Sequence, residues 1–246
     1  MNGTTVFSRS KTLNDKRSTF CPGCTHGTII NALMACLDEM DLSGESICVG
    51  CVGCGGNLPF FLNMDATYSM HGRAPANATG IKRMNPDKIV FTYQGDGDLA
   101  AIGTAEIIHA ANRGEKITVI FVNNTTYGMT GGQMAPTTLL GQKSTTSPLG
   151  RAADTAGYPL RVCELLSSLE GVKFLERVAV DTPAGVRKAK KAMKRAFECQ
   201  RQGLGFSLVE LLSTCPTNWG MPPVNALKWL RENMVPYFPE GNFKDY

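Results

Sequence analysis

Nine cysteines stand in this 246-residue chain, an odd number in a sequence that shows no export signal, which argues against a disulfide framework and for metal binding or catalysis. Five of them, Cys21, Cys24, Cys48, Cys51 and Cys54, crowd the first quarter of the chain beside glycines and a proline. Cys36, Cys163 and Cys199 sit instead among helical or apolar neighbours and read as core packing. Thiolates grouped this way suit metal ligation or catalysis, and spacing alone does not say which. Cys51 lies three residues before Cys54, so chemistry alone does not choose between them.

The elements that must position such ligands show in the hydrophobic pattern. Ile29, Ile30, Leu33, Met34 and Leu37 fall at helical spacing with Asp38 and Glu39 opposite, so Cys21 to Cys24 form a turn leading into an amphipathic helix over 28–40. Ile89 to Tyr93 reads as a buried strand, followed by Gly95-Asp96-Gly97, a helix to Asn112 and a second apolar strand from Ile117 to Val122. Strand-helix alternation resumes with Val172 to Val180, a helix from about Ala184 to Gln200, and Ser207 to Leu212. The expected fold is α/β, a mostly parallel sheet flanked by helices, with 1–246 as one domain. The stretch from Asn123 to Arg151 is rich in Gly, Thr and Pro, and is longer than a simple connection should be, which points to function.

Composition narrows the partners. Lys plus Arg number 25 against 21 Asp plus Glu, too even a balance for a nucleic-acid surface. The basic run Arg187, Lys188, Lys190, Lys191, Lys194 and Arg195 lies opposite Val186, Ala189, Met193 and Phe197, which makes it a solvated helix face before it is a docking patch for an acidic electron carrier. Residues Met1 to Phe20 lack the apolar run of a signal peptide, and apolar runs elsewhere are strand-length, so no membrane association and a cytoplasmic location are expected.

Gly95-Asp96-Gly97, twenty-five residues, then Asn123-Asn124 resembles the signature of thiamine diphosphate enzymes. The physics is coherent. A carboxylate at one strand's carboxyl end and an amide oxygen at the end of the next can share one Mg²⁺ with a diphosphate, and hard oxygen ligands suit that ion. The bland alternative, a turn capped by Asp96, does not account for the Asn pair.

The wider text, GDGDLAAIGTAEIIHAANR and NNTTYGMTGGQMAPTT, together with Phe20-Cys21-Pro22-Gly23-Cys24, Val52-Gly53-Cys54, His71-Gly72-Arg73-Ala74 and Cys215-Pro216-Thr217, resembles the β subunits of 2-oxoacid:ferredoxin oxidoreductases. MTGGQMAPTTL, CPTNWGM and YFPEGNFKDY are most similar to the 2-oxoisovalerate type. The resemblance implies a [4Fe-4S] cluster on Cys21, Cys24, Cys54 and Cys215, with Cys48 and Cys51 packing or supporting it. A zinc ion in the same four thiolates would be redox-inert beside thiamine. The resemblance also implies Mg²⁺ on Asp96, Asn124 and the carbonyl of Thr126, and thiamine diphosphate lined by Val52, Gly53, Cys54, Gly55, Gly97, Asp98, Gly128 and Met129. His71 falls near the cofactor; His26 and His109 make weaker cases, and His109 reads as structural.

The implied reaction is coenzyme A-dependent oxidative decarboxylation of a 2-oxoacid, with electrons leaving through the cluster to ferredoxin. The implied partners are an α subunit that completes the thiamine site, and γ and ferredoxin-like δ subunits. Relatives using 2-oxoglutarate carry a basic residue three places after the third cysteine. Asn57 stands there in this chain, which favours an apolar substrate.

Overall fold

The structure, a computed structural model, describes residues 8–246; the first seven residues of the segment read as lacking a signal peptide lie outside it. Helix α1 (His26–Glu39) precedes β1 (Ser46–Gly50), β2 (Asp65–Tyr68), α2 (Ala74–Met84), β3 (Ile89–Gly95), α3 (Thr104–Asn112) and β4 (Thr118–Asn123). A small hairpin, β5 (Thr126–Tyr127) and β6 (Gln133–Met134), is followed by the short helices α4 (Ala153–Ala156) and α5 (Val162–Ser167). Then come β7 (Val172–Ala179), α6 (Pro183–Arg201), β8 (Phe206–Leu212), α7 (Pro216–Trp219), α8 (Pro223–Trp229), α9 (Val235–Tyr237) and β9 (Gly241–Lys244).

Seven strands form one sheet in the order β2-β1-β3-β4-β8-β7-β9, parallel throughout except for β9, which runs antiparallel to β7. The expected parallel α/β sheet is therefore present. Every residue of β4 and β8 is buried, as strands covered on both faces require. Helix α6 opens on Thr182, whose Oγ1 accepts the Gly185 N–H at 3.0 Å, with Pro183 at its first position. It lays Ala189, Ala192, Met193 and Phe197 against the sheet and α1. Its basic face is largely paired: Lys190 and Lys194 with Glu39, Lys188 with Glu240, and Arg195 with Asp245.

Two features differ from expectation. The helix after Gly97 does not start regularly; a π-type turn, Asp98–Ile102, precedes Gly103 and α3. Strands β1, β2 and β9 gave no periodic signal because they are short, and β2 and β9 are edge strands with largely uncovered side chains. Among the described residues no helix is long and apolar enough to cross a membrane.

The path of the chain creates a crevice. Leaving β1, it places Leu58 and Phe61 on the face shared with α1 and α6. Leaving β3, it places Leu99, Ala100 and Ile107 on the opposite face with α2. Adjacent parallel strands whose connections depart to opposite faces open a cleft at their carboxyl ends.

Candidate cofactor site

Four strands deliver residues to that cleft: 52–55 after β1, 96–98 after β3, 124–129 after β4 and Cys215 after β8. A pocket of about 130 Å³ is lined by Val52, Gly53, Cys54, Gly55, His71, Asp96, Gly97, Asp98, Asn124, Thr126, Gly128 and Met129. These are the residues expected around thiamine and magnesium. His26, Tyr127 and Thr130 also line it and were not singled out for it by sequence. Val52 and Met129 are half-exposed there, so its apolar mouth is open to solvent or to another surface.

Asp96 is 2% exposed, and burial raises its pKa to about 6. Its Oδ1 accepts the Gly97 N–H at 2.9 Å and its Oδ2 accepts the Thr137 hydroxyl at 2.6 Å. Thr137 lies in the MAPTT stretch, which by itself gives it no role, and only the folded loop brings it to Asp96. Gly97 admits no side chain, since a Cβ there would lie 2.3 Å from the Tyr127 ring. Of the two asparagines, Asn123 is consumed by structure: its Nδ2 donates to Glu210 at 2.8 Å and its Oδ1 accepts from Thr125 N–H. Asn124 accepts only a long bond of 3.3 Å from Thr126 N–H and faces the pocket. Between them, Thr125 adopts φ +58°, a left-handed conformation costly for a β-branched residue. The kink turns Asn124 and Thr126 toward the site. A buried carboxylate, an amide oxygen and a backbone carbonyl form a hard-oxygen set that suits Mg²⁺, and the charge that burial disfavours on Asp96 is what such an ion would stabilise.

Asp98 serves the framework. Its Oδ1 accepts from His71 Nδ1 at 2.6 Å, Gly72 N–H at 2.9 Å and Val52 N–H at 3.2 Å, and its Oδ2 accepts from Gln94 Nε2 at 2.7 Å. The carboxylate thereby ties the β1, β2 and β3 connections together. The bond to Asp98 occupies His71 Nδ1, which leaves Nε2 without a hydrogen-bond partner among the described residues, in a side chain that lines the pocket.

A second pocket beside the first is lined by Cys21, Cys24, Cys54 and Cys215, and also by Phe20 and Asn57. Burial raises the Cys24 thiol to about 12 and the Cys54 thiol to about 11, with the neighbouring thiols of the set pushing in the same direction. Cations binding the thiolates would relieve both penalties, so the donor set fits a cluster. Cys51 is elsewhere: it is 2% exposed, its Sγ lies toward Gly55, and its titratable neighbours are Asp98 and Cys48. Cys48, Cys36 and Cys199 belong to one apolar cluster and Cys163 to another. Among the described residues no three His, Cys, Asp or Glu side chains converge on a single metal ion; in a four-iron cage each thiolate binds a different iron.

Cys54, Asn124, Gly128 and His26 line both pockets and form the wall between them. His26 is buried, which lowers its pKa to about 4; its Nδ1 bonds Tyr93 Oη at 2.7 Å, and its ring stacks on Phe20. His26, for which the sequence makes a weaker case than for His71, borders both pockets. His109 is exposed on α3 and lines neither.

The family model described as thiamine pyrophosphate enzyme, C-terminal TPP binding domain, matches residues 51–211. Ketoisovalerate oxidoreductase subunit VorA of Methanothermobacter thermautotrophicus is 46% identical over 98% of this chain and 50% of its own length. 2-Oxoglutarate synthase subunit KorB of Methanocaldococcus jannaschii is 37% identical over 88% of this chain and 78% of its own. A solved 2-oxoglutarate:ferredoxin oxidoreductase from Magnetococcus marinus, with 2-oxoglutarate, coenzyme A and succinyl-CoA bound, shares the fold at a TM-score of 0.81 and 23% identity, covering 100% of this chain and 87% of that one. The chain belongs to the thiamine pyrophosphate enzyme family, with the VorA and KorB subunits of 2-oxoacid oxidoreductases. It spans about half the length of the VorA relatives it matches.

Proposed function

We propose that this chain, as one thiamine diphosphate-binding domain, is the β component of a cytoplasmic, anaerobic 2-oxoacid:ferredoxin oxidoreductase that forms acyl-coenzyme A and CO₂. The observation that carries the proposal is the shared wall: a hard-oxygen pocket and a four-thiol pocket meet at Cys54, Asn124, Gly128 and His26. Asp96, Asn124 and the Thr126 carbonyl would hold the Mg²⁺ that anchors the cofactor. Cys21, Cys24, Cys54 and Cys215 hold a [4Fe-4S] cluster. When bound, thiamine supplies the carbanion chemistry that releases CO₂. Gly97 and Gly128 let backbone approach the cofactor, and His71, oriented by Asp98, presents Nε2 to the site. An α subunit closes the open mouth at Val52 and Met129, and γ and ferredoxin-like δ subunits complete the electron path to ferredoxin.

The preferred substrate is 2-oxoisovalerate or a similar apolar 2-oxoacid. No Lys or Arg lines the pocket among the described residues, so a second carboxylate would be buried without a cation from this chain. Asn57 lines the cysteine side of the wall and does not border this pocket. The test is anaerobic purification of the complex, thiamine extraction, and assay of a 2-oxoacid panel with coenzyme A and a viologen acceptor. Iron and sulfide without thiamine would make the chain an electron-transfer module instead. A higher kcat/KM for 2-oxoglutarate than for 2-oxoisovalerate would overturn the substrate assignment.

A further inference from the structure

Asn218 lies three residues after Cys215, in the single turn of α7. Its Nδ2 donates to Cys215 Sγ at 3.2 Å and to the carbonyl oxygen of Gly128 at 2.8 Å. One amide thus spends both hydrogens, one on a thiol of the four-thiol pocket and one on the wall backbone at Gly128. The backbone at Gly128 is pressed against the same sulfurs, since a Cβ there would lie 3.1 Å from Cys54 Sγ and 3.6 Å from Cys215 Sγ. The contact is local and geometrically fixed.

We infer that Asn218 is a positioning residue that sets the reduction potential of the cluster through its hydrogen bond to Cys215, a role that rests on the cluster reading above. The physical reason is electrostatic. Reduction adds an electron to the iron-sulfur core and thiolates, and an N–H aimed at a ligand sulfur stabilises the more electron-rich state, which raises the potential. The bond to Gly128 holds that N–H in place and fixes the loop against the sulfurs. Asn218 lines the four-thiol pocket and not the thiamine pocket, so it acts through Cys215.

The experiment compares wild type, Asn218→Ala and Asn218→Asp in the anaerobically purified complex, measuring iron, sulfide and the cluster midpoint potential by electron paramagnetic resonance during a redox titration. The expected result is a full cluster in each variant and a midpoint shifted to more negative values, further for Asn218→Asp because its carboxylate adds charge beside the thiolate. Asn218→Asp is nearly isosteric, so it keeps the test open should Asn218→Ala assemble poorly. A midpoint equal to wild type in either assembled variant overturns the inference. So does loss of the cluster from both variants while the protein stays folded, because Asn218 would then serve assembly and not potential. Wild-type complex without iron and sulfide is a different failure, that of the cluster reading itself.

Discussion

At the scale of single residues, Asp96 and Cys54 carry the separable halves of the site. Asp96 supplies the only carboxylate of the hard-oxygen set, so Asp96→Ala removes bound thiamine while leaving the visible spectrum of the cluster unchanged; thiamine retained at wild-type affinity would refute the magnesium assignment. Thr137→Val removes the hydroxyl that bonds Asp96 Oδ2 at 2.6 Å, and should weaken cofactor affinity by about 10–100-fold, the usual cost of losing an outer-shell partner. Cys54→Ser should abolish the cluster, roughly four irons and four sulfides in the wild type. Cys51→Ser should leave it intact, because Cys51 does not line the four-thiol pocket and its Sγ lies toward Gly55. Loss of iron from Cys51→Ser alone would reverse the ligand assignment.

At the scale of elements, the long segment after β4 is held open by a single buried cation. Arg151 donates to the carbonyl oxygens of Ala135, Pro136 and Thr138 on one side and of Ala156, Gly157 and Tyr158 on the other. This explains how a stretch with no periodicity still presents Thr137 and Thr126 at fixed positions. Arg151→Ala leaves those carbonyls unpaired, a local cost on the order of 3 kcal/mol. Hydrogen exchange should accelerate across 133–158 and thiamine affinity should fall, while protection in β3, β4 and β8 is unchanged. Uniform acceleration across the sheet would show that Arg151 supports the whole fold and not the loop.

At the scale of the whole molecule, a buried ionic chain links the sheet to the site. Arg177 on β7 is fully buried and bonds Glu210 on β8 at 2.8 Å and Glu164 on α5 at 2.6 Å, while Glu210 in turn accepts from Asn123. Arg177→Met strands Glu210 in the core and should cost about 3–5 kcal/mol, read as a lower urea midpoint. The link has a pH signature as well. Burial alone would raise the Glu164 carboxyl, but the Arg177 guanidinium outweighs it and holds the group below the ordinary carboxylate range. A depressed folded-state pKa stabilises above the unfolded pKa and is lost as pH falls, so wild type should lose stability on acidification more steeply than Glu164→Gln. Parallel acid limbs for the two proteins would show that Glu164 contributes nothing to the pH dependence.

The sequence by itself determined the strand-helix alternation, the parallel α/β class and the family likeness, because buried strands, amphipathic helices and the GDG and CPGC loops are local patterns whose chemistry is written in adjacent residues. Between neighbours of equal chemistry the residue types left the choice open; the family resemblance pointed to Cys54 and Asn124, and tertiary structure supplies the physical reason. Cys54 rather than Cys51 joins the four-thiol pocket, and Asn124 rather than Asn123 faces the cleft, because the chain's path after β1 and the left-handed kink at Thr125 decide which side chain turns inward. The same holds for Thr137, His26 and Asn218, whose partners stand 41, 67 and 90 residues away along the chain. No local pattern encodes contacts of that separation; they exist because β1, β3, β4 and β8 lie side by side and end at one edge of the sheet.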